Sequence, residues 1–204
     1  MRLNRAAHGA LAILAAAGLV LEYLYSLSLH PDQPLIQSAR YISFFTIQSN
    51  ALILIGCVAT ALGRPPSPSI RAALSVYILV VALVFQALLA AQHHFIGVGW
   101  WGNLLAHQIV PGLWIVCWLW FGPHGGIDQG GPWRWLIYPL GYCGWTMGVG
   151  AVTGWYPYFF LNPDRVGWGV AGYIAGISAL FLALGLAFRW IEGRLALRAA
   201  RIAG

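Results

Sequence analysis

The chain has 204 residues, 60% of them hydrophobic and only 8% charged, with a mean hydropathy of +0.73. A soluble domain carries about a quarter charged residues, so this composition excludes a water-soluble globular protein and defines an integral membrane protein. The net charge of +6 comes from scattered arginines that form no basic stripe, which excludes nucleic acid as a partner.

A transmembrane barrel needs alternating polar and apolar residues, and the run from Ile78 to Ala91 does not alternate. The expected fold is therefore all-α: a single domain over residues 1–204, built as a six-helix transmembrane bundle. Spans are predicted at about 8–29, 42–62, 72–91, 102–121, 133–152 and 168–189, each near the ~20 residues a bilayer requires. Turn chemistry separates them at His30-Pro31-Asp32, Gly63-Arg64-Pro65-Pro66, Phe95–Gly102, Gly122–Pro132 and Tyr156–Gly167. The first apolar stretch follows Arg2 and Arg5 but exceeds the ~7–15 residues of a signal-peptide core, so it reads as a retained helix.

Orientation follows from arginine asymmetry. With the N-terminus inside, the inner segments hold Arg2, Arg5, Arg64, Arg71, Arg134, Arg189, Arg194, Arg198 and Arg201, and the outer loops hold only Arg40 and Arg165. Both termini are thus expected in the cytoplasm. Cys57, Cys117 and Cys143 are isolated within spans and read as buried free thiols. Gly144-x-x-x-Gly148 and Gly172-x-x-x-Gly176 have the spacing that lets helices approach closely.

Polar side chains are costly in hydrocarbon unless they find partners. The second span opens with Thr46-Ile47-Gln48-Ser49-Asn50 between apolar flanks. Entering from outside, it places Thr46 roughly 6–8 Å deep, and His107 on the fourth span lies roughly 7–8 Å deep. Glu22 sits about two turns below the outer end of the first helix, and His93 and His94 close the outer end of the third. These groups converge on the outer half of the bundle, whereas the inner half is expected to be nearly all apolar. Thr46, Ser49 and Asn50 share a helix face and Gln48 points elsewhere; Asn103 and His107 share a face that Pro111 continues. His8, His30 and His124, at edges or in loops, carry no signal.

A hydroxyl needs a base to act as a nucleophile, and histidine is the side chain best suited to take the proton and return it. Thr46 and His107 are the candidate pair, with Gln48, Ser49, Asn50 and Asn103 as candidate substrate or oxyanion contacts. Glu22, His93 and His94 complete the polar set, and Glu22 serves equally as structural glue between helices. Arg40 and Arg165, the only outer arginines, are placed to hold a carboxylate of the substrate. No GxSxG elbow is present, and Gly97-Val98-Gly99-Trp100-Trp101-Gly102 matches GxGxxG without a preceding strand. Three readings compete with the hydroxyl pair. A metal-dependent hydrolase would use His93, His94 and His107 with Glu22 or Asp164. A binding or transport protein would hold a lipid or small solute without turnover, and a purely structural protein would do neither. No metal or other cofactor is expected.

The motifs Phe45-Thr46-Ile47-Gln48-Ser49-Asn50, His107-Gln108-Ile109-Val110-Pro111, Tyr138-Pro139-Leu140 and Tyr156-Pro157-Tyr158-Phe159-Phe160-Leu161-Asn162 resemble those of the predicted six-span bacterial membrane proteins. That group is distantly similar to the animal androgen-induced and androgen-dependent TFPI-regulating proteins. The resemblance implies hydrolysis of fatty acid esters of hydroxy fatty acids in a bacterial inner membrane, with Thr46 as nucleophile and His107 as its histidine. Asn162 stands where the bacterial pattern has Asp. The implied partner is a membrane lipid as substrate, and a homo-oligomer is compatible with such a bundle.

Overall fold

The computed structural model describes residues 2–92, 95–122 and 124–203, all of whose regular structure is helical. The chain divides into two compact units, Met1–His124 and Gly125–Gly204.

The first unit contains α1 (Arg2–Leu29), α2 (Pro34–Ile42), α3 (Phe45–Ala61), α4 (Pro68–Val84), α5 (Val98–Leu104) and α6 (Val110–Trp120). Two π-helical segments, Phe85–Leu89 after α4 and Leu105–Ile109 between α5 and α6, interrupt the regular winding. Helix α1 packs along α3 and α5, and α4 lies against α3 and α6. Ile53, Cys57, Ala72, Val76, Ile78, Val110 and Trp114 fill the interior. Ser67 caps α4 by accepting the Ile70 N–H at 3.3 Å, and Pro68 follows at a position where no amide hydrogen is needed.

The apolar elements Arg2–Leu29, Pro68–Gln92, Val98–Trp120 and Gly169–Arg198 are each long enough to cross a membrane, and α2 with α3 would make a fifth if the bent pair is one span. Helix α3 lies within the expected span 42–62, and the chain bends by 69° at the N-terminal edge of that span, between Ile42 and Phe45. Two bonds of the tighter i→i−3 kind, Ser43 N–H to Arg40 O and Phe44 N–H to Tyr41 O, close α2, and Phe44 is extended. Gln48 Nε2 donates back to Ile42 O at 3.0 Å across the bend. The Tyr41 hydroxyl, donating to Leu19 O at 2.6 Å, pins the end of α2 to α1.

Glycines set the approach of α1 and α5. A Cβ at Gly99 would stand 2.6 Å from the Tyr25 ring, one at Gly102 would stand 2.9 Å from the Glu22 backbone nitrogen, and one at Gly18 would meet Leu105 at 3.0 Å. The GxGxxG match is therefore a packing feature. Gly97, at φ +55°, starts α5, and the two later glycines admit α1.

The end of this unit opposite Thr46 is not all apolar, contrary to expectation. His8 (1% exposed), Arg71 (3%), Thr60 (4%) and Ser75 (0%) are buried there. His8 meets the edge of Trp114, whose Nε1 donates to Ser75 Oγ at 3.0 Å, and Ser75 in turn donates to Arg71 O. His8 escaped notice because a residue near the start of a span reads as interfacial.

The second unit contains α7 (Gly131–Trp135), α8 (Ile137–Thr153), α9 (Pro163–Val166) and the long α10 (Gly169–Ala203). Gly185 of α10 receives Pro132 and Trp135 of α7. Gly154, left-handed at φ 71°, ends α8, and the Tyr156 ring folds over Gly150. A Cβ at Gly144, Gly148, Gly172 or Gly176 would meet nothing within 4 Å, so neither small-residue motif makes the expected close contact within this unit. Asn162 caps α9 by accepting the Asp164 N–H at 2.9 Å. An Asp at that position could make the same bond.

Candidate active site

Thr46 lies in the first turn of α3, immediately after the bend, and is 8% exposed. His107 occupies the π-helical segment before α6 and is 9% exposed. Their side chains meet: Thr46 Oγ1 is 3.3 Å from His107 Nε2. On its other side His107 Nδ1 lies 3.2 Å from Asn103 O. A carbonyl only accepts, so Nδ1 carries the hydrogen and Nε2 is left to accept the Thr46 hydroxyl proton. This is the tautomer a general base requires.

The π-helical segment leads directly into α6. Pro111 lacks the N–H that would bond the His107 carbonyl in a regular helix, and its ring would crowd that carbonyl. The wider turn before it, in which Val110 N–H reaches Leu105 O, accommodates the proline. Pro111 was thus a legible signal for an irregular turn at His107. Phe85, which opens the other π-helical segment, stacks on the imidazole with ring centroids 3.9 Å apart and planes at 26°. Nothing in its apolar run marks Phe85 for that role.

Asn50 braces the two walls. Its Nδ2 donates to Thr46 O at 2.9 Å and to Ala106 O at 3.1 Å, which uses both amide hydrogens. The backbone behind the hydroxyl is thereby tied to the residue next to the imidazole. Ser49 is 1% exposed, and its Oγ is buried with no hydrogen-bond partner among the described residues. Gln48 is only half-buried, on another face, where its amide serves the bend.

Glu22 packs against Gly102, next to Asn103. Both Glu22 Oε1 and Asn103 Oδ1 are buried without a hydrogen-bond partner among the described residues. Arg40 is half-buried in the last turn of α2, whereas Arg165 is exposed on α9 of the second unit. His93 and His94 lie outside the described residues. Among the described residues no group of three His, Cys, Asp or Glu side chains is arranged to hold a metal ion. The structure thus gathers Thr46, Ser49, Asn50, Asn103 and His107 in one place, with Glu22 against the adjoining turn.

Comparisons with family models, with curated proteins and with solved structures find no match to this chain.

Proposed function

We propose that the protein is a six-span intramembrane hydrolase of lipid esters, with both termini cytoplasmic and its site in the outer half of the bilayer. The carrying observation is the buried contact between Thr46 Oγ1 and His107 Nε2 at 3.3 Å, with the His107 tautomer set by Asn103 O at 3.2 Å. The arginine asymmetry supports the orientation, and the site's position on apolar helices supports a substrate that partitions into lipid. Fatty acid esters of hydroxy fatty acids are the substrate class the motif resemblance favours. Their free carboxylate gives Arg40, in the same unit as Thr46 and His107, a role at the interface.

In this mechanism His107 Nε2 takes the Thr46 proton as Oγ1 attacks the ester carbonyl carbon, and the carbonyl electron pair moves onto oxygen. Collapse of that intermediate breaks the bond to the alcohol oxygen, which leaves with the proton from His107. Water then attacks the acyl-Thr46 ester while His107 takes its proton. The acid departs as Thr46 regains its hydrogen. Asn50 and Phe85 hold the pair in register.

The test is turnover of a fatty acid ester of a hydroxy fatty acid by the purified protein in proteoliposomes. Thr46→Ala should abolish hydrolysis, Thr46→Ser should retain it, and His107→Ala should lower it by about 10²–10⁴-fold. Wild-type turnover in Thr46→Ala would refute the assignment. Tight lipid binding without turnover in the wild type would favour a binding or transport protein.

A further inference from the structure

We propose that the Ser49 hydroxyl and the Ile47 backbone N–H form the oxyanion hole for attack by Thr46, a role that rests on the hydrolase reading above. The Ser49 hydroxyl is buried and unused. A serine or threonine in a helix commonly returns its hydrogen to the carbonyl one turn back. Ser38, Ser43, Thr60, Ser75 and Thr153 all do so here, at 2.7–2.9 Å. Ser49 does not, although it is 1% exposed and its Oγ is shut away from solvent. Thr146 in the second unit is the other buried hydroxyl without a partner among the described residues. Of the two, only Ser49 lies one turn along the same face from a hydroxyl that meets an imidazole.

Ser49 also lies close to the start of α3. Side chains on a helix lean toward its N-terminus, so Ser49 leans back over the turn that carries Thr46. The first backbone bond at that end runs from Gln48 N–H to Phe44 O, and no backbone acceptor precedes it for Ile47. The N–H groups of a helix's first turn carry the positive end of its dipole and favour developing negative charge. Ile47 directly follows the nucleophile, so its N–H stays close to Oγ1 whatever the substrate. The bend between Ile42 and Phe45 starts a new helix at this turn, so its N–H groups are not used up by a continuous helix running in from α2.

The neighbouring side-chain amides are already engaged. Asn50 has given both Nδ2 hydrogens to Thr46 O and Ala106 O, and Gln48 Nε2 reaches back to Ile42 O. The Ser49 hydroxyl is the side-chain donor that remains on the Thr46 face. In the reaction it contributes no covalent step. As the carbonyl electron pair moves onto oxygen, the Ser49 O–H and the Ile47 N–H each donate a hydrogen bond to that oxygen, and both relax when the acyl-Thr46 ester forms.

The test compares Ser49→Ala and Ser49→Thr with the wild type in proteoliposomes. It follows kcat, KM, the rate of reaction with a fluorophosphonate whose adduct carries the same tetrahedral oxygen, and stability to denaturant. Loss of one such donor costs about 10²–10³-fold in kcat. Ser49→Ala should show that loss with KM unchanged, slow fluorophosphonate reaction in parallel, and be no less stable, because it removes a hydroxyl that nothing satisfies. Ser49→Thr, which restores the hydroxyl, should recover turnover. If Ser49→Ala keeps wild-type kcat while Thr46→Ala is inactive, the oxyanion role fails and the hydrolase reading stands. A Ser49→Ala protein that loses stability along with activity marks the hydroxyl as structural and also overturns the proposal. If Thr46→Ala itself keeps wild-type turnover, the hydrolase reading fails and this inference with it.

Discussion

Asn50 offers the sharpest test of how the site is held. Asn50→Ala removes two buried hydrogen bonds, one within α3 to Thr46 O at 2.9 Å and one to Ala106 O at 3.1 Å. Interhelical hydrogen bonds in membrane proteins average about 0.6 kcal/mol, and buried hydrogen bonds in general about 1 kcal/mol. The pair therefore amounts to about 1–2 kcal/mol. Because the bonds join the backbone of Thr46 to the residue beside His107, their loss also lets the 3.3 Å contact open. If the whole amount were expressed in the transition state, kcat would fall about 5–30-fold. Asn50→Asp keeps the shape but turns an acceptor toward two carbonyl oxygens, so it should destabilise at least as much as Asn50→Ala. Equilibrium unfolding in detergent micelles measures stability, and ester turnover in proteoliposomes measures the catalytic part. Stability and kcat both unchanged in Asn50→Ala would refute the bracing role. So would an Asn50→Asp protein as stable as the wild type.

Gly102→Ala places a methyl group 2.9 Å from the Glu22 nitrogen and should destabilise by about 1–3 kcal/mol, whereas Gly112→Ala meets nothing within 4 Å and should be neutral or stabilise by up to about 1 kcal/mol; unfolding in micelles separates them. Asp128 is held below the usual carboxylate range by its hydrogen bond to Arg134 at 2.7 Å, so its contribution to stability is present above that range and is lost as pH falls through the depressed value. Both partners are well exposed, so Asp128→Asn should flatten the acid limb of the stability–pH curve and leave neutral stability nearly unchanged. A reporter active only in the periplasm, fused to the C-terminus, should give no signal, and a strong signal would overturn the proposed orientation.

Much of the helical frame was legible because long apolar runs admit few alternatives. The first and third expected spans lie within the observed apolar elements, the fourth does so up to Trp120, and 168–189 falls on the first part of α10 apart from Trp168. Helical spacing also sorted the polar string. Thr46, Ser49 and Asn50 are buried together, while Gln48 turns to the bend. The bend itself was hidden, since Tyr41 to Phe45 is apolar enough to continue a helix and the break depends on backbone bonds that end α2. Pro111 marked one π-helical turn, but Phe85 begins the other in a run that is apolar apart from Gln86, and its stacking on His107 is a tertiary fact without a local signature. Gly97–Gly102 matches GxGxxG without a preceding strand, and the surroundings of Gly99 and Gly102 show helix packing. His8 and Arg71 lie near helix starts, where position along the chain gives no hint of burial.

The central claim is that Thr46 is the residue that becomes acylated. The most direct measurement treats the purified protein in proteoliposomes with a fluorophosphonate and maps the adduct by mass spectrometry in the wild type, Thr46→Ala and His107→Ala. The account predicts a single adduct on Thr46, absent from Thr46→Ala and formed far more slowly in His107→Ala. An adduct that persists at full yield in Thr46→Ala, or no adduct in wild-type protein that is turning over ester, would contradict it.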